Sequence, residues 1–267
     1  MGWLARAIGT RSGSVYPREM QRLGRNSPRL KELRQRVRER RPGEVVVDGR
    51  RLIADLVRWG VPLLELYLAD GTEPDPAVVA AALSAWQVDP SVFEGLTPTR
   101  HPQGVLAVVS EPAGRGWTAA SSVAVFLEGV QDPGNLGAIV RSAAGLGAAA
   151  VLLSAGCADP FHPAAVRGSA GGVFRIALER GATVADAARR VRARKGSIWA
   201  ADPAGSPLAR WRPRRPALLL LGAEGAGLSE AAGKVVDGRV AIPLERDVES
   251  LNVAVAAGIL LQHLRNA

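Results

Sequence analysis

Three stretches of this chain place polar side chains directly after apolar runs. Residues 126–141 pass from Phe126 and Leu127 through Glu128, Gly129, Asp132, Pro133 and Gly134 to Asn135, Gly137 and Arg141. Residues 218–229 run from four consecutive leucines into Gly222, Ala223, Glu224, Gly225, Ala226 and Gly227. Residues 242–257 lead from Ile242, Pro243 and Leu244 through a charged loop to Ser250, Leu251, Asn252 and an apolar segment. Glycine-rich loops let a main chain approach a ligand closely. The amides and carbonyls of Leu221, Gly222 and Ala223, and of Ile242, Pro243 and Leu244, are therefore suited to reading an adenine edge without side chains. A nicotinamide site is the competing interpretation, but no Gly-x-Gly-x-x-Gly follows the first strand of this region, and the turn at 134–137 has the wrong spacing.

Taken in order, Asn-x-Gly-x-x-x-Arg at 135–141, Leu-Gly-x-Glu-Gly-x-Gly at 221–227 and Ile-Pro followed by Glu-Ser-Leu-Asn-Val at 242–253 resemble the three motifs of the SpoU (TrmH-like) class of SPOUT RNA methyltransferases. The resemblance implies an α/β fold with a SPOUT parallel sheet and a C-terminal trefoil knot, which general folding rules would not propose. It implies S-adenosyl-L-methionine as cofactor, held by Leu221, Gly222, Ala223, Glu224, Gly225, Ile242, Pro243, Leu244, Leu251 and Asn252. The catalytic set it implies is Asn135, Arg141, Glu224, Ser250 and Asn252, acting on a ribose 2′-hydroxyl. Arg141 matches the family's catalytic arginine, but a guanidinium stays protonated and makes a poor base. We read it as a clamp on the phosphate beside the target ribose. Asn135 is expected to hold the turn or the target nucleotide, Glu224 and Asn252 to orient Arg141 and the cofactor loops, and Ser250 to cap the last helix. Two positions depart from the family: Ala254, where many relatives carry Ser, and the 245–247 loop, where Gly is more usual.

The elements that must position these groups follow from periodicity. Strands are expected at 123–127, 150–153, 175–178, 197–200, 218–221 and 238–242, with helices at 137–146, 163–169, 184–193, 229–232 and 251–264. Runs such as 217–221, apolar throughout, are typical of parallel strands buried on both faces, and such sheets bind ligands beyond the carboxyl ends of their strands. Residues 253–261 carry no polar side chain, so the last helix needs cover on nearly every side. Its likeness to the family implies a homodimer built on this helix and the knot.

Ahead of that domain, a helix from Ser27-Pro28 is followed by strands at 45–47, 63–68 and 105–109 and helices at 51–59, 76–86 and 89–93. This order resembles the ribosomal L30e-like substrate-binding domain that precedes many SpoU catalytic domains, and it implies an rRNA target ahead of tRNA. The expected organisation is a basic flexible leader at 1–26, the L30e-like domain at 27–110, a Pro- and Gly-containing linker at 111–121 and the methyltransferase domain at 122–267.

Lys and Arg number 34 against 25 Asp and Glu, a formal charge of +9, which suits a polyanionic partner. Arg29, Lys31, Arg34, Arg38, Arg50 and Arg51 are the candidate RNA contacts of the first domain. Residues 189–195 and 210–215 add two further basic patches. Trp211, within the second, is read as packing under a long loop in preference to stacking a base. Cys157 is the single cysteine, so no internal disulfide forms and a reducing cytoplasm fits. His101, His162 and His263 lack metal-ligand spacing, and no metal is expected. The apolar run of the last helix is too short to span a bilayer. A non-catalytic RNA-binding or assembly factor on the same fold is the main functional alternative.

Overall fold

The second half of the chain is organised by its leucine- and valine-rich strands. In the computed structural model, which describes residues 20–97, 102–114, 116–117, 123–223 and 225–266, they form a six-stranded sheet. Its elements are β6 (Val123–Glu128), α5 (Pro133–Gly145), β7 (Ala150–Leu153), α6 (Pro163–Gly168), β8 (Ala177–Arg180), α7 (Val184–Arg192), β9 (Ser197–Pro207), β10 (Ala217–Gly222), α8 (Glu230–Val235), β11 (Gly238–Ala241) and α9 (Val253–Asn266). The strand order is β11-β9-β10-β6-β7-β8, and every neighbouring pair is parallel. On one face Ala124, Phe126, Leu152, Ile198, Leu218 and Leu220 pack with Ala187, Ala188 and Val191 of α7 and Ala232 of α8. On the other strand face Val125, Leu127, Leu219 and Leu221 are equally buried. This two-sided burial explains why these strands read as unbroken apolar runs.

The first half carries β1 (Gln21–Leu23), α1 (Pro28–Arg38), β2 (Glu44–Asp48), α2 (Arg50–Arg58), β3 (Leu63–Ala69), α3 (Pro76–Ala81), β4 (Ala82–Val88), α4 (Pro90–Phe93) and β5 (Val105–Ser110). Its sheet has the order β1-β4-β3-β5-β2, with β3 parallel to β4 and antiparallel to β5. Packing divides the chain into two units, one containing Asp48–Val109 and the segment before Arg36, the other Arg36–Val47 and Ser110–Ala267.

Two expectations are corrected here. The helix expected over 76–86 stops at Ala81, and Ala82–Val88 is a strand. Alanine-rich composition favours helix, but Trp86 pairs with Tyr67 across the sheet and stacks on its ring at 5.1 Å, so tertiary packing overrides propensity. For Gln21–Leu23 the expectation of a flexible leader also fails, since these residues add a parallel strand beside β4. Residues 1–19 lie outside the described residues. Smaller differences move boundaries: α5 starts a turn earlier than expected because Asp132 accepts from the Asn135 N–H at 2.6 Å, and the strand expected at 175–178 is Ala177–Arg180.

Candidate functional site at the carboxyl ends of the parallel strands

Backbone pairing brings the first two motifs together. β6 and β10 run in register from Ala217 opposite Val123 to Gly222 opposite Glu128, so both strands release their loops at the same level. Glu128 then accepts from the N–H and the hydroxyl of Ser229, each at 2.8 Å. The loop after β10 is thereby tied to the end of β6. That loop folds back on itself: the Gly227 N–H donates to the Ala223 carbonyl at 2.9 Å. A Cβ on Gly222 would lie 2.2 Å from the Gly227 carbonyl carbon, closer than any side chain allows.

The third motif reaches the first through one side chain. Asn252 donates from Nδ2 to Asn135 Oδ1 at 2.9 Å. Its own Oδ1 accepts from the main-chain N–H of Ala254 at 2.9 Å and of Val255 at 3.4 Å. Asn252 is therefore the cap of α9, and the cap expected at Ser250 is corrected. Because the helix begins at Val253, a hydroxyl at 250 is too far back to serve the first free N–H groups. Arg141 stands exposed on α5, six positions after Asn135 and so about 9 Å further along the helix axis. α5 packs against α6, where a Cβ at Gly137 would meet the Ala165 carbonyl oxygen at 2.5 Å. The glycine of the first motif thus serves helix packing.

A cavity of about 440 Å³ opens between the ends of β9, β10 and β11 and the start of α9, within the range of small-ligand sites. Of the residues expected to hold a cofactor, Leu221, Gly222, Ala223, Gly225, Ile242, Leu244 and Leu251 line it. Pro243 and Asn252 do not. Glu224 lies outside the described residues. Among the residues expected to be catalytic, Ser250 lines the cavity, whereas Asn135 and Arg141 stand apart from its lining.

The structure adds Asp202 and Glu249, with Ala201 and Pro203, to that lining. β11 pairs with β9 at Ala200 and again at Ser206, so residues 201–205 leave the ladder beside the cavity. Asp202 is fixed there by Arg239 and by the Ala204 N–H at 2.8 Å. Its position just past an expected strand, where parallel sheets bind ligands, is a signal that could have found it.

The candidate RNA contacts of the first unit differ among themselves. Lys31, Arg38, Arg50 and Arg51 are exposed, and Arg34 is partly buried. Arg29 is committed to packing: it pairs with Glu65 at 3.2 Å and lies 4.1 Å from the Trp86 ring centroid. Glu65 also accepts from the Tyr67 hydroxyl at 2.7 Å, and burial, then that bond, raises the Tyr67 pKa well above its ordinary value. Two histidines have local structural partners. His162 Nδ1 accepts from the Ala164 N–H at 3.2 Å, and His263 stacks on Trp211 at 5.8 Å. His101 lies outside the described residues. Among the described residues no group of three or more His, Cys, Asp or Glu side chains is placed to hold a metal ion. No helix among them is long and apolar enough to cross a membrane.

A fully parallel sheet with a cavity of small-ligand size at its carboxyl end defines an α/β ligand-binding domain. Residues 122–262 match the SpoU rRNA Methylase family, and residues 28–107 match the MRM3-like substrate binding domain. The chain belongs to the SpoU family of RNA methyltransferases. It is 30% identical over 221 residues to the 23S rRNA (guanosine(2553)-2′-O)-methyltransferase RlmP of Bacillus subtilis, a match covering 82% of this chain and 88% of that one. It also resembles the AdoMet-bound rRNA methyltransferase of Sinorhizobium meliloti, with a TM-score of 0.80 and 28% identity over 93% of this chain and 97% of that one. The SpoU methyltransferase AviRb of Streptomyces viridochromogenes, in complex with the cofactor AdoMet, gives a TM-score of 0.79 and 28% identity over 90% of this chain and 98% of its own.

Proposed function

We propose that this chain transfers a methyl group from S-adenosyl-L-methionine to a ribose 2′-hydroxyl in structured RNA, with 23S rRNA as substrate. The observation that carries the reading is one cavity lined by the second and third motif loops, with the first motif tied to the third beside it by the Asn252–Asn135 hydrogen bond. The named activity of the Bacillus subtilis relative supports both the 2′-hydroxyl and the large-subunit RNA. When bound, the cofactor supplies an electrophilic methyl carbon on a sulfonium.

The cavity suits that cofactor chemically. Leu221, Ile242, Leu244 and Leu251 offer apolar walls to an adenine. Gly222 and Ala223 bring main chain to the same lining, where it meets the adenine's polar edge. The carboxylates of Asp202 and Glu249 stand at the same lining, where they complement a molecule carrying ammonium and sulfonium charges. Arg141 acts as a fixed cation that clamps the phosphate next to the target ribose and eases negative charge on the attacking oxygen. Alignment of that oxygen with the methyl carbon supplies much of the acceleration. Asn135 and Asn252 hold the first and third loops at one spacing. Glu224 and Ser250 complete the set, orienting Arg141 and contacting RNA.

The organisation we propose is a basic leader ahead of Gln21, an L30e-like RNA-binding domain that takes in the strand Gln21–Leu23 and runs to 110, a linker at 111–121 and a catalytic domain at 122–267 with a C-terminal trefoil knot. The protein acts in the cytoplasm as a homodimer through α9, on which Val255 and Ile259 are left exposed. Mapping ribose methylation in total RNA with and without this gene tests the reading. Loss of one 2′-O-methyl mark in 23S rRNA is expected; loss of a tRNA mark would correct the substrate, and an unchanged pattern would overturn the activity.

A further inference from the structure

We infer that the amino-terminal end of the six-stranded sheet is an RNA-docking surface that binds phosphates remote from the reacting ribose. The inference rests on the RNA methyltransferase reading above.

Three segments distant in sequence meet there. β9 and β10 start side by side, Ser197 opposite Ala217. The Ser197 N–H donates to the Pro216 carbonyl at 2.9 Å and its hydroxyl to the Arg214 carbonyl at 2.7 Å. Arg194 and Lys195, just before β9, are thus brought beside Arg214. The end of α9 joins them: Arg215 donates to the Leu264 carbonyl at 2.5 Å, a favourable place for a cation at a helix C-terminus. Trp211, 2% exposed, fixes the 210–215 segment between Trp199, edge-on at 5.9 Å, and the stacked ring of His263. The tryptophan amid arginines is therefore an internal peg; Arg212 and Arg215 bond main-chain carbonyls beside it, while Arg210 and Arg214 are exposed.

The charge of this surface has one sign. No Asp or Glu occurs in 208–216, in 258–266 or in 192–198. A nearby carboxylate, Asp237, is engaged by Arg192 at 3.2 Å and by the Ile198 N–H at 2.8 Å. Arg194, Lys195, Arg210 and Arg214 are exposed. None of these four side chains forms an ion pair with any described carboxylate. Such crowding of like charge works against folding by self-repulsion, and phosphates relieve it. β10 is six residues long, so its start, where Arg194, Lys195 and Arg214 gather, lies about 20 Å from the cavity at the strand's other end; Arg210 lies between the end of β9 and Trp211. Groups at that distance alter how tightly RNA is held and leave the transfer step itself untouched.

The test compares the full-length chain with its Arg194→Ala/Lys195→Ala/Arg210→Ala/Arg214→Ala variant, using transcribed 23S rRNA as probe across about 50 to 200 mM salt. RNA affinity is expected to fall about tenfold or more, and the slope of log affinity against log salt to shrink by about 2 to 4, near 0.7–0.9 for each phosphate no longer neutralised. S-adenosylmethionine affinity by calorimetry is expected to stay unchanged. The charge-retaining Arg194→Lys/Arg210→Lys/Arg214→Lys variant is expected to bind RNA as the parent does; a weakening equal to that of the alanine variant would assign the effect to packing and overturn the proposal. An alanine variant with parental affinity and slope also overturns it, leaving the surface to an acidic protein or to no partner. Failure of the parent chain to methylate RNA would instead strike the functional reading, since salt-dependent binding is measured without turnover.

Discussion

The side-chain amide of Asn252 donates to Asn135 Oδ1 at 2.9 Å across 117 positions of sequence, while its oxygen caps the last helix. One residue therefore holds the first and third motif loops together and starts α9. Asn252→Ala is expected to lose the cap and the bridging bond at a cost of about 1–2 kcal/mol. Asn252→Asp keeps an acceptor for the Ala254 N–H and is expected to recover most of the stability. Denaturant unfolding of the two variants separates these outcomes; equal losses would mean that capping contributes nothing.

Arg141→Ala is expected to leave S-adenosylmethionine affinity within about twofold while reducing methyl transfer to RNA by at least about a hundredfold, the scale for removing one charge stabiliser at a reacting centre. Calorimetry and transfer of labelled methyl into RNA read the two effects independently. Transfer at the parental rate would refute the clamp.

Gly222→Ala puts a methyl group into the backbone of Gly227 and must push the second motif loop aside. Cofactor affinity is expected to drop about tenfold or more, with stability lowered by about 1–3 kcal/mol. Retained affinity would show that the loop has room to move.

Glu179 accepts two bonds from the Arg190 guanidinium, at 2.7 and 2.5 Å, and the bond to Arg190 holds its carboxyl below the ordinary value against the opposing effect of burial. The folded chain then binds that proton less readily than the unfolded one. The stability this gives is present above the unfolded glutamate pKa, about 4.3, and is lost as pH falls through the lower folded value. Chemical denaturation from about pH 6 to pH 3 should therefore show a smaller loss for Glu179→Gln than for the parent.

Val255 and Ile259, one helical turn apart on α9, are 51% and 37% exposed. Val255→Lys/Ile259→Lys is expected to convert the proposed dimer to a monomer with the fold retained, as read by light scattering. A parental molecular mass in the variant would remove α9 from the interface.

Much of this architecture is legible in the residues alone. The parallel strands announce themselves because burial on both faces leaves no alternation, and the motif loops stand out through their glycines and polar residues. Ser84 to Val88 is hidden because its strand character comes from Tyr67 across the sheet, which no local window contains. Asn252 escapes notice as a cap because Ser250 is an equally good capping residue two positions earlier, and only the path of the loop decides between them. The charged 245–247 loop, where family resemblance favours glycine, contains Arg246 and Asp247 at φ of 59° and 58°. That left-handed backbone explains why glycine is at home there.

The in-register ladder between β6 and β10 means that the spacing of the first two motif loops is set by main-chain hydrogen bonds, largely independent of which apolar side chains fill the core. Core residues on these strands are therefore free to drift in size, whereas one inserted residue within Ala217–Gly222 would turn the following side chains to the opposite face and carry Gly222 about 3.3 Å out of step with Glu128. Strand length, more than strand composition, is what this family member has least freedom to change.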